Sequence, residues 1–135
     1  MKPYSYNART IIQGWTRIDM LLALYDRAIA SIRAAAHAKQ HDDSNAFWEK
    51  TLFAQKCLLA IHSGLKPEEH DVAFNISRLV HFAMSKLCDH EFEIAIETLE
   101  SIRASYEAIR EEATQLEHQG TIPALDFSNS LTTTV

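Results

Sequence analysis

Residues 16–29, TRIDMLLALYDRAI, decide the fold of this chain. Thr16 followed three residues later by Asp19 is a helix start. The hydroxyl accepts from free backbone N–H groups, and the carboxylate reaches back to the cap or sits against the helix dipole. At about 100° per residue, Ile18, Leu21, Leu22, Leu24, Tyr25, Ala28, Ile29 and Ile32 fill an arc of roughly 160°, and Met20 widens it to about 200°. A helix packed on one neighbouring pair needs a stripe of about 100°. The surplus demands cover from another helix, from the chain's own end, or from a partner.

Around this stretch the chain is 135 residues long, enough for a single domain with a real core. Its 47% apolar content against three Gly and three Pro points to a mostly helical globule. The net charge of −5 is unevenly placed, at +3 over residues 1–60 and −8 over 61–135. That asymmetry argues against a general nucleic-acid binder, which needs a concentrated basic face. Polar and aromatic residues interrupt positions 1–17, so no signal peptide is expected there. The longest apolar run, Met20 to Tyr25, is far short of a membrane span, so no membrane insertion is expected. Cys57 and Cys88 form no metal or redox motif and read as free, buried thiols in a reducing cytosol.

The glycines and prolines punctuate the rest. Gly14, Gly64 and Gly120 fall where helices begin or end, and Pro3, Pro67 and Pro123 lie outside the periodic segments. Residues 1–15 form an entry arm whose Tyr4, Tyr6, Ile11, Ile12 and Trp15 are too apolar for a solvated leader. A first helix spans 17–40, and after the break HDDSN, with Asp43 or Ser44 as cap, a second spans 44–63. The second helix has two apolar sides. Phe47, Ala54, Cys57, Leu58 and Ile61 share one, and Trp48, Leu52 and Leu59 form another about 100° away. A third helix at 68–88 places Val72, Ile76, Leu79, Val80, Ala83 and Leu87 in a core stripe, leaving Phe74 and Phe82 on the flank with Arg78. Asp89 is the expected cap of a fourth helix, 90–118. Its apolar side runs from Phe92 through Leu99, Ile102 and Ile109 to Leu116, and glutamates cover the other side. Four such helices joined by short turns predict an all-α, antiparallel four-helix bundle over 16–119. The arm 1–15 packs on the bundle, and a mobile, threonine-rich tail occupies 120–135.

Chemistry is hard to find on this frame. A carboxylate-bridged di-metal bundle needs Glu-x-x-His pairs, and none occurs. His37 and His41, four residues apart, are the one pair able to clamp a metal from a single face, but without an evident third ligand. They carry the alternative reading, a metal-binding bundle or helical-bundle enzyme. There is no phosphate-binding glycine loop and no nucleophile motif. The chain therefore reads as no enzyme, with no cofactor. What remains is surplus apolar surface, on Met20 and Leu24, on Trp48 and Leu52, and on Phe74 and Phe82. With an aromatic-rich arm, these predict hydrophobic grooves for an amphipathic partner.

LLALYDRAI resembles the MLYDGAI signature of the flagellin export chaperone family (FliS), and the similarity runs from about Tyr4 to Ala113. In that family an N-terminal Tyr precedes a Ser-Pro cap and a Leu-Tyr-Asp motif. A polar break with Asp follows, and then Asn-Leu-x-x-Leu-Tyr-x-Tyr on the third helix. Here the corresponding stretches are Tyr4, Thr16-Arg17, Leu24-Tyr25-Asp26, Asp42-Asp43 and NISRLVHF from Asn75 to Phe82. Arg17 replaces the proline, Arg27 stands where the family has Gly, and Val80 and Phe82 replace two tyrosines. The turn between the third and fourth helices is roughly one helical turn shorter, which preserves phase.

The resemblance implies a cytoplasmic chaperone that binds the disordered C-terminal segment of flagellin. It would prevent premature polymerisation, deliver the cargo to the flagellar export gate, and leave room for a second adaptor protein on the acidic fourth helix. The expected partner-binding residues are Tyr4 and Ile11 in the arm, which would cover a groove until cargo displaces it, and Met20, Leu24, Trp48, Leu52, Phe74 and Phe82.

Overall fold

The computed structural model describes residues 15–68 and 71–121. All its regular elements among those residues are helices: α1 (Arg17–Gln40), α2 (Ser44–Gly64), α3 (Asp71–Cys88), α4 (Phe92–Ala108) and α5 (Arg110–His118). They pack as a helical bundle, the fold class expected from the periodicity. Two compact units make it up, residues 1–21 with 108–135, and residues 22–107.

In the smaller unit the start of α1 is fixed by a reciprocal capping box. The Thr16 N–H donates to Asp19 Oδ2 at 3.0 Å, and the Asp19 N–H donates to Thr16 Oγ1 at 3.3 Å. Arg110 at the head of α5 sets Nε and Nη2 on Asp19 Oδ1, at 3.0 and 2.7 Å. The Arg17 N–H donates to Glu117 Oε1 at 2.9 Å. Residue 110 thus meets 19 and 117 meets 17, so α5 runs antiparallel to the first turn of α1. Burial alone would raise the Asp19 pKa; the Thr16 N–H, Arg110 and the Thr16 hydroxyl outweigh it and hold the carboxyl below its ordinary 3.8.

In the larger unit all the helices supply core. Tyr25 and Ile32 of α1, Leu58 of α2, Val80 and Leu87 of α3, and Leu99 of α4 are fully buried. Each such side chain contributes about 1.5–3 kcal/mol of transfer free energy. Ion pairs Asp26–Arg103 and Arg33–Glu100 join α1 to α4 in antiparallel order. On the other side, Gln55 Nε2 donates to the Met84 carbonyl at 3.3 Å, and His62 Nε2 lies 3.0 Å from Ser77 Oγ, so α2 and α3 are antiparallel too.

The ends of α1, α3 and α5 share one backbone device. After α1 the Asp43 N–H donates to the Ala38 carbonyl and the Asp42 N–H to that of Lys39; after α3 the Glu91 N–H donates to Lys86 and the His90 N–H to Leu87. Both are Schellman closures, with left-handed Asp42 (φ 55°) and His90 (φ 61°) where glycine is usual. After α5 the same pattern uses Gly120, φ 80°. Asp43 then caps α2, its Oδ1 accepting from the Ala46 N–H at 3.1 Å.

Four expectations need correction. Asp89 does not cap α4; its N–H donates to the Ser85 carbonyl inside the turn that closes α3. Val72 and Leu79 are not core: they are 63% and 45% exposed, and Ala73 is buried instead. The buried set of α3 is Ala73, Val80, Ala83 and Leu87, whose centre lies about 65–85° from Val72 and Leu79 at 100° per residue. The fourth helix is not continuous. Ile109, at φ −106° and ψ 8°, interrupts it, so the phase set by Leu99 and Ile102 does not carry through, and Ile109 is exposed. Cys88 is exposed, whereas Cys57 is buried as expected; both are free thiols.

Candidate functional site

Most of the surplus apolar surface lies on α2 and α3. Ten large hydrophobic side chains are exposed among the described residues, and eight of them belong to this helix pair. The reason is local. Phe47, Ala54, Leu58 and Ile61 already give α2 a complete buried stripe, so Trp48, Leu52 and Leu59, on another side of the helix, have no core left to enter. They form one column, at spacings of four and seven residues. Gln55 sits on the same flank, between Leu52 and Leu59, and reaches across to α3, where its Nε2 donates to the Met84 carbonyl. On α3, Phe74, Arg78 and Phe82 follow one another at four-residue spacing. An open hollow of about 610 Å³ lies against Arg78 and Phe82, its other lining residues including His62, Ser77 and His81.

Of the residues expected to bind a partner, Trp48 (57%), Leu52 (60%), Phe74 (52%) and Phe82 (42%) are exposed in the larger unit. Phe82 carries the Lys86 ammonium 5.4 Å above its ring. Met20, in the smaller unit, and Leu24, in the larger, are half-buried on α1. Tyr4 and Ile11 lie outside the described residues. Sequence reasoning left Leu59 out of the binding set, although its seven-residue spacing from Leu52 places it on the same column; it is 56% exposed.

A second hollow of about 610 Å³ lies where α1 ends and α4 begins, lined by Lys39, His90 and Phe92 among others. Lys39 Nζ donates to His90 Nδ1 at 3.0 Å and stands 5.8 Å over the Phe92 ring. The His90 and Phe92 rings are stacked. Lys39 and His90 thus satisfy each other.

Inside the bundle the Leu-Tyr-Asp stretch does structural work. Tyr25 is fully buried, its ring 5.8 Å from that of Tyr106, and its hydroxyl has no hydrogen-bond partner. Burial, and then the neighbouring Tyr106, push its pKa well above the ordinary 10, so the phenol stays neutral. Asp26 accepts two hydrogen bonds from Arg103. His37 and His41 stack with ring centroids 4.1 Å apart, and His41 Nδ1 donates to the His37 carbonyl. No group of three or more metal-ligating side chains occurs among the described residues. No described helix is long and apolar enough to cross a membrane.

None of the curated proteins matches this sequence. The family model of flagellar protein FliS matches residues 1–119, which is most of the chain and includes every helix described above. The chain belongs to the FliS family of flagellar export chaperones.

Proposed function

We propose that this protein binds the disordered C-terminal segment of flagellin over the exposed apolar columns of α2 and α3. There it keeps the segment from polymerising early and hands it to the flagellar export gate from the cytoplasm. The observation that carries the reading is the exposure of Trp48, Leu52, Phe74 and Phe82 in a chain of this family. Apolar columns of this kind accept the apolar stripe of a partner helix. Exposed patches of this extent mark interaction sites in soluble proteins. A guest that folds as it binds spends part of its interaction energy on ordering, which suits a cargo that must later be released.

In this reading the arm 1–15, anchored by Tyr4 and Ile11, covers a groove until cargo displaces it, and Met20 and Leu24 contribute from α1. A second adaptor protein has the glutamate-rich face of α4 available. The protein acts by binding and not as an enzyme, without cofactor, nucleic acid or membrane insertion.

The test is capture of a peptide carrying about the last forty residues of the host flagellin, long enough to wrap several grooves. Saturable binding is expected, with helix gained on mixing. Absence of binding by the full chain overturns the proposal. Deleting residues 1–12 should raise cargo affinity and dye binding; unchanged or lower values of both would remove the arm from the account.

A further inference from the structure

The end of α1 holds two exposed histidines, His37 and His41, that serve neither the core nor the apolar columns. The His41 N–H donates to the His37 carbonyl at 3.2 Å, so the helical turn carries on past Gln40 and keeps the pair in i, i+4 register. Their rings already face each other, with centroids 4.1 Å apart and planes 24° from parallel. His41 Nδ1 lies 2.9 Å from the same carbonyl. A carbonyl only accepts, so Nδ1 of His41 carries the proton and its Nε2 keeps a free lone pair. Metal-binding histidines are commonly oriented by an outer partner of this kind.

The surroundings favour a cation. The end of α1 is the negative pole of its helix dipole. His37 borders an open hollow of about 390 Å³ between α1 and α4, lined also by Arg33, Glu93, Glu97 and Glu100 among others. Arg33 is held by Glu100 at 2.6 Å, so the net charge lining the hollow is that of Glu93 and Glu97. Lys39, the other cation of this turn, is turned to His90 and the Phe92 ring.

We infer that His37 and His41 clamp a late first-row divalent ion, copper(II) or nickel(II), at the end of α1. Each Nε2 supplies one ligand. No third metal-ligating side chain joins the pair among the described residues, so water completes the coordination. Imidazole suits these ions, and two adjacent nitrogens with oxygen partners fit their tetragonal geometry. With about 2.0 Å from each nitrogen to the ion and about 90° between the bonds, the ring centres stand about 4.5 Å apart. The observed stack therefore opens by only a fraction of an ångström. Glu93 and Glu97 act through their charge, which raises the local concentration of the ion. The ion is a structural ligand of α1, and the inference is independent of the flagellin reading, whose surface lies on α2 and α3.

The experiment uses the full, untagged chain, with copper(II) sulfate and nickel(II) chloride as probes and calorimetry as the readout. A single ion per chain is expected to bind with micromolar affinity, copper(II) more tightly than nickel(II). Binding should fade in acid as the imidazoles take up protons. His37→Gln and His41→Gln should each weaken it roughly tenfold or more, because one imidazole cannot chelate. Substoichiometric copper(II) should broaden the imidazole NMR signals of His37 and His41 before those of the other five of the chain's seven histidines. Added ion should raise the melting temperature of the native chain and leave that of the His37→Gln/His41→Gln double variant unmoved. Circular dichroism without the ion should be the same for all of them.

Undiminished binding by the double variant overturns the inference, since the ion would then sit elsewhere on the chain. So does broadening that falls first on another histidine, such as His62 or His81. A single substitution that leaves the affinity unchanged overturns it too, because one imidazole would then suffice and there would be no clamp.

Discussion

Arg103 holds Asp26 side-on, with Nε 2.5 Å from Oδ1 and Nη2 3.2 Å from Oδ2, tying α4 to the third turn of α1. Arg103 also reaches Glu107 at 3.3 Å on its own helix. Its side chain is 28% exposed and that of Asp26 is 56%, so solvent screens the pair on one side. Arg103→Ala and Asp26→Ala should each cost up to about 1 kcal/mol, the range for partly exposed pairs. A double-mutant cycle from denaturant midpoints should give coupling of about 0.5 kcal/mol or more. Arg103→Lys should recover little, because an ammonium cannot make the two-toothed contact.

Asp19 ties stability to pH. Its folded carboxyl lies below the ordinary 3.8, so its contribution is complete above the unfolded value and is lost as pH falls through the folded one. Asp19→Asn should cost about 1 kcal/mol at neutral pH, in line with loss of a capping interaction. The gap between the two proteins should stay flat down to about pH 4 and close below it. Urea midpoints at stepped pH give the measurement, and a gap that widens in acid would contradict the assignment.

Tyr25 offers a less intuitive outcome. Its hydroxyl is buried and makes no hydrogen bond, so the folded state carries a desolvated polar group without compensation. Tyr25→Phe should leave stability unchanged or raise it by about 1 kcal/mol. Tyr25→Ala, which empties the same site, should cost about 3–5 kcal/mol. Thermal unfolding of the two variants separates packing from hydrogen bonding at this position.

Phe74→Glu and Phe82→Glu should each weaken flagellin-peptide binding several-fold or more while changing stability by less than about 1 kcal/mol, because both side chains already face solvent. Leu99→Ala, in the fully buried core, provides the contrast, with an expected cost of about 2–5 kcal/mol. Calorimetry for binding and a denaturant series for stability distinguish the two classes.

Much of this architecture was legible in the residues. Thr16 and Asp19 announced their capping box, Asp43 its cap, and the bounds of α1 were those of the apolar period. The two sides of α2 were also readable, since one stripe was sufficient for a core and Trp48, Leu52 and Leu59 formed another. Periodicity was weaker where it had to choose between neighbours. A wide stripe on α3 does not say which edge is covered, and the helix is turned toward Ala73, leaving Val72 and Leu79 outside. Closure of α3 carried no glycine to mark it, because His90 takes the left-handed position, so Asp89 read as the start of the next helix. The interruption at Ile109 has no glycine or proline either.

The two non-glycine closures have a mechanical consequence. Backbone hydrogen bonds tie the junctions at Asp42 and His90 back to the preceding helix, and only three residues separate α1 from α2 and α3 from α4, so each pair is a hairpin with little spare chain. Past Gly64 the Leu65 N–H is bonded to the His62 carbonyl, and the chain runs on extended at Leu65. If a trough widens to admit a guest, the six residues between Gly64 and Asp71 are the covalent link between the two hairpins, and their number sets how far the hairpins can part.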